Sequence, residues 1–162
     1  MRKIVLLLFI ATITSCKTKE KSMKEIQSKV TTTNIVAVKT SEVWKKLVAF
    51  GGTDKFVPDL IERVSVKGNS VGAVRTIYLK GGGEIVEELT EIDSKNHKME
   101  FIILSTPMPI TNYTGIFEIS KAAENSCEVT FTSKYKTYSE NEKEMESVIK
   151  GFQETFISNL DK

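Results

Sequence analysis

Between residues 61 and 138 apolar and polar side chains alternate in six short runs, IERVSVK, AVRTIYLK, EIVEELTEI, KMEFIILS, YTGIFEIS and EVTFTSKYK. Period-two alternation of that length marks half-buried strands. The runs are separated by Gly68-Asn69, Gly81 to Gly83, Asp93 to Asn96, Pro107 to Pro109 and Glu124-Asn125, all good turn formers. Links this short predict an antiparallel meander. Ahead of it, TTNIVAVK (32 to 39) alternates and predicts a first strand. Ser41 then stands as an N-cap before EVWKKLVAF, where Val43, Trp44, Leu47 and Val48 share a helical face that Gly51-Gly52 ends. A second short helical turn is expected in TDKFVPDL, limited by Pro58. After Ser139, a candidate cap, the period changes: Met145, Val148, Ile149, Phe152, Phe156 and Leu160 recur at three- and four-residue spacing behind an acidic first turn. The expected fold is α+β: a curved seven-stranded antiparallel sheet wrapped around a long C-terminal helix, with two short helices after the first strand.

The N-terminus adds an address. MRKIVLLLFIATITS has two basic residues before a short apolar run, the form of an export signal. The run is well short of the roughly 20 apolar residues of a spanning helix. ITSC, residues 13 to 16, resembles a bacterial lipobox, so residues 1–15 are expected to be a lipoprotein signal peptide and Cys16 the lipidated first residue of the mature chain. A plain secretory signal with an incidental cysteine is the alternative. Lys17 favours the outer membrane, facing the periplasm. Residues 16–31, rich in lysine, read as a flexible tether, and 32–162 as one domain. Signal removal leaves 21 basic against 21 acidic residues, which gives no support to nucleic-acid binding. Cys127 has no partner within the mature domain and reads as a small strand side chain.

Two charges break the apolar stripes. Arg75 shares a face with Ala73, Ile77 and Leu79, and Glu87 shares one with Ile85 and Leu89. A three-residue turn at Gly81 to Gly83 would make Arg75 and Glu87 diagonal neighbours; a four-residue turn including Lys80 would turn Glu87 outward. Inward charges of this kind suit a polar group lining a ligand pocket, a structural ion pair, or a catalytic acid or base. The single histidine, His97, lies in a turn, and the three glycines lack the Lys-Ser/Thr ending of a phosphate loop. Nothing in the sequence calls for a metal or a cofactor.

The order of elements, the V-G-x-x-R strand (Val71, Gly72, Arg75), E-x-L before an aspartate (Glu87, Leu89, Asp93) and the T-N-Y strand start (Thr111, Asn112, Tyr113) resemble the helix-grip superfamily SRPBCC. Its members include START domains, birch-pollen-type allergens and polyketide cyclase/dehydrase proteins. The resemblance implies a cavity between sheet and long helix that binds a hydrophobic small molecule or lipid, with Arg75, Ile77, Leu79, Glu87 and Tyr113 inward and Lys80 to Gly83 and Thr106 to Ile110 at its mouth. Phe101, Ile103, Phe117, Phe152 and Phe156 are the further candidate lining residues. The lysine that pairs with the ligand in the abscisic-acid receptors falls at or beside Pro58, so that ligand and the receptor role are not carried over. Three functions stay open: a membrane-anchored binding or carrier module, a cyclase- or dehydratase-like enzyme using acid-base catalysis, and a structural or chaperone-like envelope protein.

Overall fold

One seven-stranded antiparallel sheet organises the chain, in the spatial order β1-β7-β6-β5-β4-β3-β2. The computed structural model describes residues 23–162; the expected signal peptide and Cys16 lie outside the described residues. The elements are β1 (Glu25–Val36), α1 (Thr40–Val48), α2 (Thr53–Phe56), β2 (Ile61–Lys67), β3 (Val74–Leu79), β4 (Glu84–Asp93), β5 (Lys98–Ser105), β6 (Ile110–Ala123), β7 (Ser126–Tyr138) and α3 (Glu142–Ser158). Strands β2 to β7 follow one another as hairpins, and β1 closes the far edge against β7 from Glu25↔Tyr138 to Val36↔Cys127.

The first strand begins earlier than the composition indicates. Residues 25 to 31, expected as tether, are already paired with β7. Their outward face carries Gln27, Lys29 and Thr31, which disguises them as a linker, while Ile26, Ser28, Val30 and Thr32 alternate inward. Both expected helix caps shift as well. Lys39 occupies the α1 cap position, with Ser41 inside the first turn, and Asn141 rather than Ser139 precedes α3. Ser139 instead donates its backbone N–H to Lys24 O at 3.0 Å, tying the start of β1 to the end of β7.

Helix α3 packs on β1 and β7 and touches α2. Its buried face is Met145, Ile149, Gln153, Phe156 and Ile157. Gln153 is fully buried and satisfied: its Oε1 accepts from Thr32 Oγ1 at 2.8 Å, and its Nε2 donates to Ser133 Oγ at 2.9 Å. Each buried polar atom left without such a partner would cost about 1–3 kcal/mol. The C-terminal end is held too. Lys46 Nζ donates to Leu160 O at 2.6 Å and Lys162 O at 3.1 Å, and Asn159 Nδ2 to Phe56 O at 2.7 Å. A cation there also meets the negative end of the helix dipole.

Beneath the helix lies an aromatic core. Phe117 and Phe131 have ring centroids 4.0 Å apart, Phe117 and Phe156 5.2 Å, and Phe101 lies 6.2 Å from both Phe117 and Phe131. Such pairs add about 0.5–1.5 kcal/mol each beyond the area they bury. Phe101 reaches this position because Gly115 is directly opposite it on β6. A Cβ at residue 115 would overlap the Phe101 ring, so the ring occupies the volume a side chain would take. Gly115→Ala is therefore expected to destabilise the protein by about 1–3 kcal/mol through overpacking, measured as a lowered midpoint in urea with an unchanged slope.

Candidate ligand cavity and the buried ion pair

The β3–β4 hairpin turns through Lys80, Gly81 and Gly82. Leu79 N donates to Gly83 O at 3.1 Å and Gly82 N to Leu79 O at 2.9 Å. Gly82 and Gly83 have φ of 88° and 86°, a region only glycine adopts at no steric cost. The turn is thus three residues long but starts one residue earlier than expected. That places Arg75 directly opposite Glu87 and Ile77 opposite Ile85, where a turn over Gly81 to Gly83 made them diagonal. The shift moves the register by two, so Glu87 keeps its inward face.

Arg75 and Glu87 are both buried, each 6% exposed. Arg75 Nε donates to Glu87 Oε2, and Nη1 donates to Thr53 Oγ1 at 3.0 Å and Phe50 O at 3.2 Å. The guanidinium carbon lies 4.2 Å from the Phe50 ring centroid and 5.0 Å from that of Phe101, a cation held against two aromatic rings. Burial pushes the Glu87 carboxyl above its ordinary value of 4.5, and the Arg75 guanidinium offsets only part of that shift.

Glu87 also faces open space. A cavity of about 400 Å³ is bounded by Ile77 and Leu79 of β3, Ile85 and Glu87 of β4, Ile103 of β5, Tyr113 of β6, Met108, the segment Val57 to Ile61, and Val148, Ile149, Gly151, Phe152 and Thr155 of α3. Asp59, Leu60, Val148, Gly151 and Thr155 are exposed, so the opening lies between the segment before β2 and the outer edge of α3. The two expected gate loops meet at one side of it: Pro107 lies 3.5 Å from where a Gly83 Cβ would stand, and Met108 is in the wall. Beyond Ile102↔Thr114 the β5–β6 ladder stops. A polar hollow of about 390 Å³ there shares Ile103 and Tyr113 with the cavity.

The structure brings together six of the expected site residues in that wall: Ile77, Leu79, Glu87, Ile103, Tyr113 and Phe152. It places four elsewhere. Phe101, Phe117 and Phe156 stack on one another and on Phe131 in the filled part of the interior. Arg75 turns away from the cavity to hold Phe50 and Thr53. Val57 to Ile61 was missed, although an apolar loop around a proline was a readable signal. Val148 counted as core from its spacing, yet it is 48% exposed at the rim.

Tyr113 hydroxyl shares a hydrogen bond of 2.7 Å with Ser133 Oγ, which also takes the Gln153 amide. Burial pushes the phenol well above its usual range, so it stays protonated. The charged lining residues are Asp59 and Glu87; no lysine, arginine or histidine is in the wall. Such a space suits a largely apolar molecule that presents a hydrogen-bond donor to a carboxylate. Among the described residues no cluster of metal-ligating side chains occurs, and no helix is long and apolar enough to cross a membrane.

A strongly curved sheet gripping one helix, with an apolar cavity between them, defines a helix-grip protein. Residues 27–162 match the family described as polyketide cyclase / dehydrase and lipid transport, and the chain belongs to it. Among solved structures it is similar to XoxI from Bacillus cereus, at 18% identity and a TM-score of 0.74 over 83% of this chain and 93% of that one. It is also similar to norcoclaurine synthase from Thalictrum flavum in complex with dopamine and hydroxybenzaldehyde, at 14% identity and a TM-score of 0.71 over 99% and 95%. A Thermobifida fusca protein is 23% identical with a TM-score of 0.69 over 82% and 92%. At these identities the likeness establishes the fold. A comparison with curated proteins finds no match.

The ion pair predicts an asymmetry in pH. Removing either member strands a buried charge, so Arg75→Met and Glu87→Gln should each cost about 3–5 kcal/mol near neutral pH, with the double variant recovering part of it. Without Arg75, Glu87 can escape by taking a proton. Its folded pKa, already raised, rises further, so the folded state retains that proton above the unfolded value of 4.5. The Arg75→Met penalty should be smallest below that value and grow as pH rises through the folded pKa. Glu87→Gln removes the titrating group, so its own stability should lack the fall with pH that Glu87 gives the parent above 4.5, and its penalty relative to the parent should shrink as pH rises through the parent's folded pKa. Urea midpoints of the variants relative to the parent, at mildly acidic and mildly alkaline pH, measure both.

Proposed function

We propose that this protein is a lipid-anchored cell-envelope module that binds or carries a hydrophobic small molecule or lipid between sheet and α3. The observation that carries the reading is the cavity of about 400 Å³, within the roughly 300–1,000 Å³ of small-molecule sites and apolar on all sides except for Glu87, Tyr113 and rim groups. The family description includes lipid transport, and a structural relative holds two small aromatic molecules.

The wall chemistry narrows the ligand class. Glu87 accepts hydrogen bonds when ionised, and no wall cation is available to an anionic ligand. A neutral or cationic molecule with a hydroxyl or amine donor therefore fits, and one with a buried carboxylate does not. Titrations with a straight-chain alcohol, amine and carboxylic acid of equal length should show the first two binding about tenfold or more tighter than the acid, the size of one charge-assisted hydrogen bond. Ile103→Trp, which projects a larger ring into the cavity, should weaken binding of all three. Tightest binding of the acid would overturn the ligand class; unchanged binding in Ile103→Trp would overturn the site.

One observation favours a second reading, acid-base catalysis of the cyclase type. A carboxyl raised by burial is suited to proton transfer at neutral pH, and Glu87 is such a group. Native mass spectrometry of protein from its own host separates the two. An unmodified molecule that co-purifies and is returned intact supports carriage, whereas turnover of it that is lost in Glu87→Gln supports catalysis.

The anchor rests on residues 13 to 16, ITSC. Cys16 is expected to carry at least two acyl chains, since one gives only marginal attachment. Fractionated cells should show the parent protein with membranes and Cys16→Ala in the soluble fraction. Equal membrane recovery of both would remove the anchor from the reading.

A further inference from the structure

The cavity opening reaches the end of the sheet from which the chain leaves toward Cys16, and runs from there along α3 past Gly151 to Thr155. The start of β1 pairs with the end of β7, the start of β6 pairs with that same end of β7, and the end of β5 pairs with the start of β4. The start of β4 joins the β3–β4 turn, and Lys80 N in that turn donates to Leu60 O at 3.0 Å. Met23, Leu60, Met108 and the first turns of α3 therefore belong to one face of the molecule.

That face holds most of the exposed large apolar residues. Met23, Leu60, Leu104, Tyr138 and Val148 are 45–57% exposed on it, while Ile35, Val66 and Val71 lie at the other end or on the far edge. Leu60 and Val148 stand on opposite sides of the cavity opening. Charges there lean negative, with Glu142, Glu144 and Glu146 in the first turns of α3 joining Asp59, Glu84 and Glu140 against Lys24, Lys80 and Lys143. Six residues lie between Cys16 and Met23, seven Cα steps that span at most about 25 Å when fully extended. An anchor at Cys16 holds this face, and not the opposite one, within reach of the bilayer.

We infer that this face docks on the bilayer that carries the anchor, with Leu60 and Val148 entering the interfacial layer. The cavity then opens toward the acyl chains, and an apolar ligand passes between membrane and protein without crossing water. The contact is apolar, so it does not depend on anionic lipid. The inference deepens the proposed function and rests on the anchor at Cys16.

Quenching by bromine-labelled acyl chains tests it. Trp44, the native tryptophan, packs at 5.4 Å against His97, in the turn between β4 and β5 at the opposite end of the sheet, and serves as the distal control. Leu60→Trp and Val148→Trp, each combined with Trp44→Phe, report the docking face at positions that are already exposed. Full-length protein processed and purified from its host is reconstituted in vesicles of brominated phosphatidylcholine, and the mass of the peptide containing Cys16 is read from the same sample. Residues 60 and 148 should lose at least half their fluorescence while Trp44 keeps its own. Acylated protein with equal quenching at all three positions, or with none at 60 and 148, would overturn the docking face while leaving the anchor intact. Protein without acyl chains would overturn the anchor; in that sample selective quenching at 60 and 148 still supports the face, and its absence rejects it.

Discussion

A single helix of 17 residues cannot cover a seven-stranded sheet, and most of this protein's architecture follows from that constraint. Helix α3 packs on β1 and β7, one side of the concave surface. The inward residues of β3, β4 and β5 lie beyond its reach. Three of them, Leu79, Ile85 and Ile103, are apolar and only half-buried, and forgo part of the roughly 1.5–3 kcal/mol that full burial of each against a second layer would give. The chain supplies only the segment Val57 to Ile61 and the edge of α3 there. What remains unfilled is the cavity.

Two polar clusters keep its walls in place, one on each side. On the β1–β7 side Gln153 joins α3 to Thr32 and Ser133, and Ser133 carries the bond on to Tyr113 in the wall. On the other side Arg75 joins the β3–β4 hairpin to Phe50 and Thr53, and so to the corner between α1 and α2. Packing alone could let a half-covered hairpin slide against its cover. A guanidinium with three fixed acceptors cannot be satisfied in a shifted register, so it specifies one arrangement at the cost of desolvation. Glu87 belongs to both functions. It is the counter-charge of the structural cluster and an acceptor facing the empty space.

Much of this was legible in the sequence because it is local. Period-two alternation located β2 to β7, and the three-to-four spacing located α3. The inward positions of Arg75 and Glu87 followed from parity, which survives a register shift of two residues. Other features depend on contacts that no local pattern encodes. Residues 25 to 31 look like a tether until β7 is placed beside them, since their polar face is the solvent face of an edge strand. Phe101, Phe117, Phe152 and Phe156 are equally plausible as core or wall; only Phe152 is in the wall, and what separates them is where α3 stops covering the sheet. Gln153 carries no local signal, because a glutamine on a helix is usually solvated, and its burial shows only once Thr32 and Ser133 are brought to it. The residues before Cys16 carry their own local pattern and lie outside what the fold can test.

Val148 shows how one helix serves two environments. Its spacing puts it in the same apolar stripe as Met145, Ile149 and Phe156, yet those three are 4–5% exposed and Val148 is 48% exposed. The stripe is therefore wider than the core it covers. Phe156 meets the aromatic cluster; Val148, Ile149 and Phe152 border the cavity from the opening inward. A helix with a narrower stripe would seal against β1 and β7 and present polar side chains to the space beside it, which would then fill with water. The extra apolar row gives that space an apolar border for a guest, while its own burial holds the Glu87 carboxyl above its ordinary range. The width of the stripe, rather than any single residue in it, links the packing of α3 to the chemistry of the cavity.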